Sequence, residues 1–217
     1  MRFRRIVPLL TVTGVSLVAF AMLAAALTRG WVVVDLDRRV AEWVAADMPT
    51  WAEWSARPFS WLGGWIGITA ASVAIVGSLV LARRAWVAVW VALGVSGIQL
   101  LTALTKAGYD RPRPEEGSAI PLPASSAFPS GHASGAVATA GIAAALAAEG
   151  WPRHRRVVWS AAAVVALGVG ASRVVLGVHY VSDVLAGWAL GAAWLALFLI
   201  VRDASRRHGA PDGRSDP

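Results

Sequence analysis

Three stretches of this chain carry residue types that can do chemistry. The first is Lys106-Ala-Gly-Tyr-Asp-Arg-Pro-Arg113-Pro114, a lysine and an Arg-Pro pair with six residues between them. The second is Pro129-Ser130-Gly131-His132, and the third is Ser172-Arg173 followed by His179 and Asp183. Each has an ordinary explanation when taken alone. A lysine and an arginine can snorkel or sit solvated in a loop. A Ser-Gly pair ahead of an Ala-rich run is common capping chemistry. His179 and Asp183 are four residues apart. On a helix they share a face, so Asp183 can accept from one imidazole nitrogen and leave the other free as a nucleophile or ligand.

The elements that must position these residues are apolar. Of the 217 residues, 57% are hydrophobic and only 15% charged, whereas a soluble domain carries about a quarter charged residues. Six runs read as membrane spans: 6–28, 61–82, 85–105, 132–148, 157–171 and 184–201. A spanning helix needs about 20 apolar residues. The fourth and fifth runs are weaker and rich in Ala and Gly, which places them in the middle of a bundle where helices approach closely. The expected fold is all-α, an integral membrane bundle of six transmembrane helices forming one domain over 1–201, with 202–217 as a disordered cytoplasmic tail.

Charge orients this bundle. The chain carries +7 and Lys106 is its only lysine. Arg2, Arg4 and Arg5, then Arg83 and Arg84, then Arg153, Arg155 and Arg156, then Arg202, Arg206 and Arg207 all fall on one side if six helices alternate. The positive-inside rule makes that side cytoplasmic, which is a better account of the basic balance than nucleic-acid binding. The other side holds Arg29, Arg38, Arg39, Arg57, Lys106, Arg111, Arg113 and Arg173, four of them within the three stretches. The first run also fits a signal peptide, but it exceeds the usual apolar core of about 7–15 residues, which favours an uncleaved helix. Between the first two spans, 30–60 alternates charged residues with Trp31, Trp43, Trp51 and Trp54. It reads as one or two amphipathic helices on the outer surface, or as a loop capped by a short helix. The absence of cysteine excludes disulfides and thiolate metal sites.

All three stretches therefore reach the outer face from distant parts of the chain, and ionisable residues near membrane helices are costly unless functional. Together, in this order, they resemble the signature of the type 2 phosphatidic acid phosphatase family: Lys-x6-Arg-Pro, Pro-Ser-Gly-His and Ser-Arg-x5-His-x3-Asp, matched at every motif position between residues 106 and 183.

The resemblance implies a metal-independent phosphoric ester or diphosphate hydrolase without cofactors. Phosphoryl transfer spreads charge over the equatorial oxygens, so catalysis is mainly positioning and electrostatics. Lys106, Arg113, Ser130, Gly131 and Arg173 are the implied phosphate-binding positions, helped by the N-terminus of the helix that follows Gly131. His179 is the implied nucleophile, Asp183 holds its tautomer, and His132 moves the proton of the leaving group. His154 and His208 belong to the cytoplasmic loop and tail, and Asp110, Glu115 and Glu116 read as solvated.

The implied partner is a lipid phosphate in the bilayer, met at the extracytoplasmic face of the plasma membrane. Phosphatidic acid, phosphatidylglycerol phosphate and undecaprenyl diphosphate all remain open. Two other classes share parts of the pattern. A vanadate-dependent haloperoxidase uses similar anion-binding motifs, but its relatives are soluble. A non-catalytic membrane anion-binding or transport protein needs neither two histidines nor an orienting carboxylate.

Overall fold

A computed structural model of the chain describes residues 3–114 and 117–207. Among them are eight α-helices and no strand: α1 Phe3–Thr28, α2 Val32–Asp47, α3 Thr50–Gly63, α4 Trp65–Leu81, α5 Ala85–Ala107, α6 Gly131–Gly150, α7 Arg155–Val175 and α8 Val181–Arg207. Five of these helices are long and apolar enough to cross a membrane, and the bent pair α3–α4 passes the same test taken together, which gives six if the pair is one broken span. This all-helical, multi-pass architecture matches the expectation from sequence.

The second crossing differs in detail. It was expected to begin at Trp61, but α3 runs through to Gly63 and the chain then turns by 50° into α4. The Gly63-Gly64 pair explains the break. A Cβ on Gly63 would collide with the Val169 side chain, and one on Gly64 would lie 3.5 Å from His132 Nε2. Gly63 therefore lets backbone close against α7, and Gly64 brings the break into van der Waals range of a motif residue.

The segment 30–60 forms two helices. It is no mere surface layer: α3 buries Ala56, Ser60 and Gly63, and α2 buries Asp37 and Val44. α3 lies along α7, where Phe59 packs on the face that Gly168 leaves open.

α6 is the centre of the bundle, as its small residues suggested, with Ala133, Ser134, Gly135, Ala136 and Ala138 all buried. It packs against both α7 and α8. Gly187 and Gly191 of α8 stand so close to α6 that an added Cβ would lie 2.6 Å from the Ser130 and Ser134 carbonyl oxygens. This is the small-residue contact that substitutes for a hydrophobic drive between helices in lipid. The fifth run packs against α6, α3 and α8, as expected of an inner helix, but is less buried than α6. α7 keeps Val157, Val164 and Leu167 exposed and turns only one edge inward. Gly168 accommodates Phe59 of α3 and Gly170 accommodates Trp188 of α8, and Trp188 donates to the Ala166 carbonyl at 3.0 Å.

α8 continues to Arg207, past the expected end at Val201. Arg202 and Arg206, one turn apart, both grip Glu149 at the end of α6, at 2.9–3.2 Å. This clamp holds as helix what was expected to be the start of a tail. Residues 208–217 of that tail, with His208, lie outside the described residues, as do Glu115 and Glu116.

Candidate active site

α5 ends, α6 begins, α7 ends and α8 begins at the same end of the bundle, and that end carries all three motifs. The arginine groups Arg83–Arg84, Arg153–Arg156 and Arg202–Arg206 lie at the opposite end.

Lys106 occupies the last turn of α5, where Gly108 ends the helix. Its Nζ donates to the Ser126 carbonyl. Arg113 sits in the following loop and is largely buried. Its Nε donates to the Pro123 and Ser125 carbonyls at 3.0 and 3.1 Å, and its Nη1 to the Val178 carbonyl at 2.8 Å. These bonds fix the guanidinium on both sides of the site.

Ser130 is the N-cap of α6 and is fully buried. Its hydroxyl accepts from the Ala133 N–H at 3.5 Å, and its own N–H donates to the Asp183 carbonyl at 2.9 Å. The capping role expected of an isolated Ser-Gly pair is thus present. Gly131 and His132, rather than Ser130, form the cavity wall here. Arg173 lies in the last turn of α7, with Nη1 donating to Ser60 of α3, while its Nε has no partner among the described residues.

His179 and Asp183 meet, but not on one helix face. His179 precedes α8 in a tight turn that places Gly177 at φ 66°, and only Asp183 is helical. Asp183 Oδ2 accepts the Tyr180 N–H at 2.9 Å, capping α8, and lies 3.4 Å from His179 Nδ1. On the far side of the ring, Arg113 Nη1 stands 3.1 Å from His179 Nε2. An arginine has only donors. Nε2 must therefore carry the lone pair, and the ring proton sits on Nδ1 facing Asp183. Burial lowers the His179 pKa to about 4, against the opposing pull of Asp183, so the ring is neutral near pH 7. Burial likewise lowers the Arg113 pKa.

Lys106, Arg113, Gly131, His132, Arg173 and His179 surround one cavity of about 500 Å³. Three cations and the N-terminus of α6 make it a receptor for a compact anion. Asp183 lies behind His179, away from the cavity. Of the expected set, the structure thus gathers six residues on the wall and two directly behind it. Thr69 of α4 and Gln99 of α5 also line the cavity, and both continue into a groove of about 570 Å³ between those helices.

Sequence reasoning missed four residues. Arg111 lies within the first stretch but has no role assigned from sequence, yet its Nη1 donates to Asp183 Oδ1 at 2.5 Å and to Ser182 Oγ at 2.7 Å. Asp37 accepts from Arg111 Nη2 at 2.7 Å and from the Ser182 N–H at 3.0 Å. Ser182 and Ser60 complete the set. The Arg-Pro-Arg-Pro repetition is a signal for Arg111. None marks Asp37, since Asp35 offers the same chemistry two residues away.

Comparison with known proteins gives the same picture. Residues 85–207, more than half of the chain, match a family model described as the PAP2 superfamily. The chain is 29% identical over 191 residues to phosphatidylglycerophosphatase B of Bacillus subtilis (strain 168), covering 87% of this chain and 92% of that protein. It also resembles the crystal structure of a transmembrane PAP2 type phosphatidylglycerolphosphate phosphatase from Bacillus subtilis, with a TM-score of 0.81 at 28% identity over 91% of this chain and 97% of that one. The chain belongs to the PAP2 superfamily, as a multi-pass membrane phosphatase of the type 2 phosphatidic acid phosphatase family.

Proposed function

We propose that this phosphatase removes the phosphomonoester of a phosphatidylglycerophosphate-class lipid at the extracytoplasmic face of the plasma membrane, through a phosphohistidine on His179. The observation that carries the lipid reading is the continuity of the cationic cavity with the α4–α5 groove through Thr69 and Gln99. A headgroup in the cavity leaves its chain an apolar path along Val73, Val76 and Val95. The similarity to a phosphatidylglycerophosphatase favours this headgroup over the other two lipids. The arginine groups at the opposite end favour the extracytoplasmic orientation. The phosphatase relatives and the membrane bundle disfavour the haloperoxidase and non-catalytic alternatives.

The chemistry follows from the arrangement of side chains. Lys106, Arg113 and Arg173 hold the phosphoryl oxygens, with the unpaired Arg173 Nε in the same wall. The lone pair on His179 Nε2 attacks phosphorus. The P–O bond to the lipid breaks, and His132 gives its proton to the departing alkoxide. Asp183 stabilises the positive charge on the phosphorylated ring. Water then gives a proton to His132 and attacks phosphorus, releasing inorganic phosphate and restoring His179. In this scheme the charge that develops is met by protein cations and the helix terminus.

The test is kcat/KM of purified protein in detergent on phosphatidylglycerophosphate, phosphatidic acid, undecaprenyl diphosphate and soluble glycerol phosphate. The first should lead and the last should trail far behind. A leading rate on undecaprenyl diphosphate would reassign the substrate, and equal rates on glycerol phosphate would remove the lipid groove from the account.

A further inference from the structure

We propose that Asp37, on α2 and outside all three motifs, is a positioning residue for catalysis: through Arg111 it sets how much of the Asp183 charge reaches His179. The role rests on the phosphohistidine reading above.

The contacts form an unbroken chain. Arg111 divides its guanidinium between two carboxylates, Nη2 to Asp37 Oδ2 at 2.7 Å and Nη1 to Asp183 Oδ1 at 2.5 Å. Ser182 bridges them, accepting from Arg111 and donating its own hydroxyl to Asp37. The other Asp183 oxygen faces His179 Nδ1. Tyr180 stacks on Arg111, with its ring centroid 4.3 Å from Cζ, and closes the guanidinium plane.

Burial gives this arrangement its weight. Asp37 is 2% exposed, Asp183 0% and Arg111 13%. Asp37 and His179 border a common crevice of about 10 Å³, room for about one water. Solvent therefore cannot screen these charges as it does at a surface. An arginine bound to Asp183 alone would draw that carboxylate's charge away from the imidazole. Asp37 competes for the same arginine. Two carboxylates sharing one guanidinium leave net negative charge behind His179, where the ring becomes positive on phosphorylation. On its other side His179 faces the cations Arg113 and Arg173, with Lys106 and His132 also on the cavity wall.

The rival role is purely structural, because Asp37 also accepts the Ser182 N–H and so caps the first turn of α8. Rapid-quench kinetics in alkaline denaturant with radiolabelled phosphatidylglycerophosphate separate the two. The labelling amplitude counts competent sites, and the labelling rate reports chemistry at His179. In Asp37→Asn the amplitude should stay at the wild-type value while the rate falls roughly 10-fold, the size expected when a hydrogen bond to a charged group is weakened. An amplitude that falls while the rate per competent site is unchanged would make Asp37 a structural cap and overturn the proposal. So would full amplitude at a rate within about twofold of wild type. Arg111→Lys, which keeps the charge and loses the fork, should show the same split and carries the test if Asp37→Asn does not accumulate folded. A wild-type protein that takes no label overturns the phosphohistidine reading itself, a result distinct from any difference between variant and wild type.

Discussion

His179 presents Nε2 to the Arg113 guanidinium at 3.1 Å while its Nδ1 faces Asp183 at 3.4 Å. The arginine cannot accept, so this pair of contacts fixes the tautomer and aims the lone pair at the side from which a phosphoryl group would be met.

The protonation state of that ring is the first prediction. Burial lowers the His179 pKa from 6.5 to about 4. The sign is that of a base kept neutral: between those values a free histidine is charged and His179 is not. The proposed nucleophile therefore stays available as pH falls through 6.5 and is lost only near 4. Histidine-selective NMR of the detergent-solubilised protein, with His179→Ala to assign the signal, should show a titration near pH 4. A titration at or above 6.5 would contradict it.

A second prediction concerns His132, which borders the cavity beside Gly131. As the proposed proton donor to the leaving group, it matters most when that group is a poor one. His132→Ala should slow release of a lipid alkoxide by roughly 10²–10⁴-fold and release of a nitrophenolate far less. Equal losses on the two substrates would remove the general-acid role.

The orientation is tested by single cysteines in a chain that has none. Ala124 and Ala204 are exposed at opposite ends of the bundle. In intact cells an impermeant maleimide should label Ala124→Cys and spare Ala204→Cys until the membrane is opened. Labelling of Ala204→Cys alone would invert the topology.

Much of this was legible in the sequence because membrane spans and the three motifs are both local signals. Apolar length located the crossings, and arginine spacing assigned the motifs and the basic groups to opposite ends. Features set by packing were not legible. The break at Gly63-Gly64 depends on how closely α3 approaches α7 and His132. The extension of α8 depends on Glu149, 53 residues before Arg202. His179 meets Asp183 across a turn and a helix cap rather than along a helix face, so the i, i+4 spacing led to the right pair for the wrong geometric reason. Asp37 lies 74 residues from Arg111, and nothing local distinguishes it from Asp35.

The central claim is a covalent bond between phosphorus and His179, and trapping it is the direct measurement. Wild-type protein mixed with radiolabelled lipid phosphate and quenched in denaturant should carry an acid-labile, base-stable label that maps by mass spectrometry to the peptide containing His179. His132→Ala should retain the label because its hydrolysis also needs that base, Asp183→Asn should form it on the order of 10³-fold more slowly, and His179→Ala should form none. Label that persists in His179→Ala and disappears in His132→Ala would reverse the two roles and contradict the account.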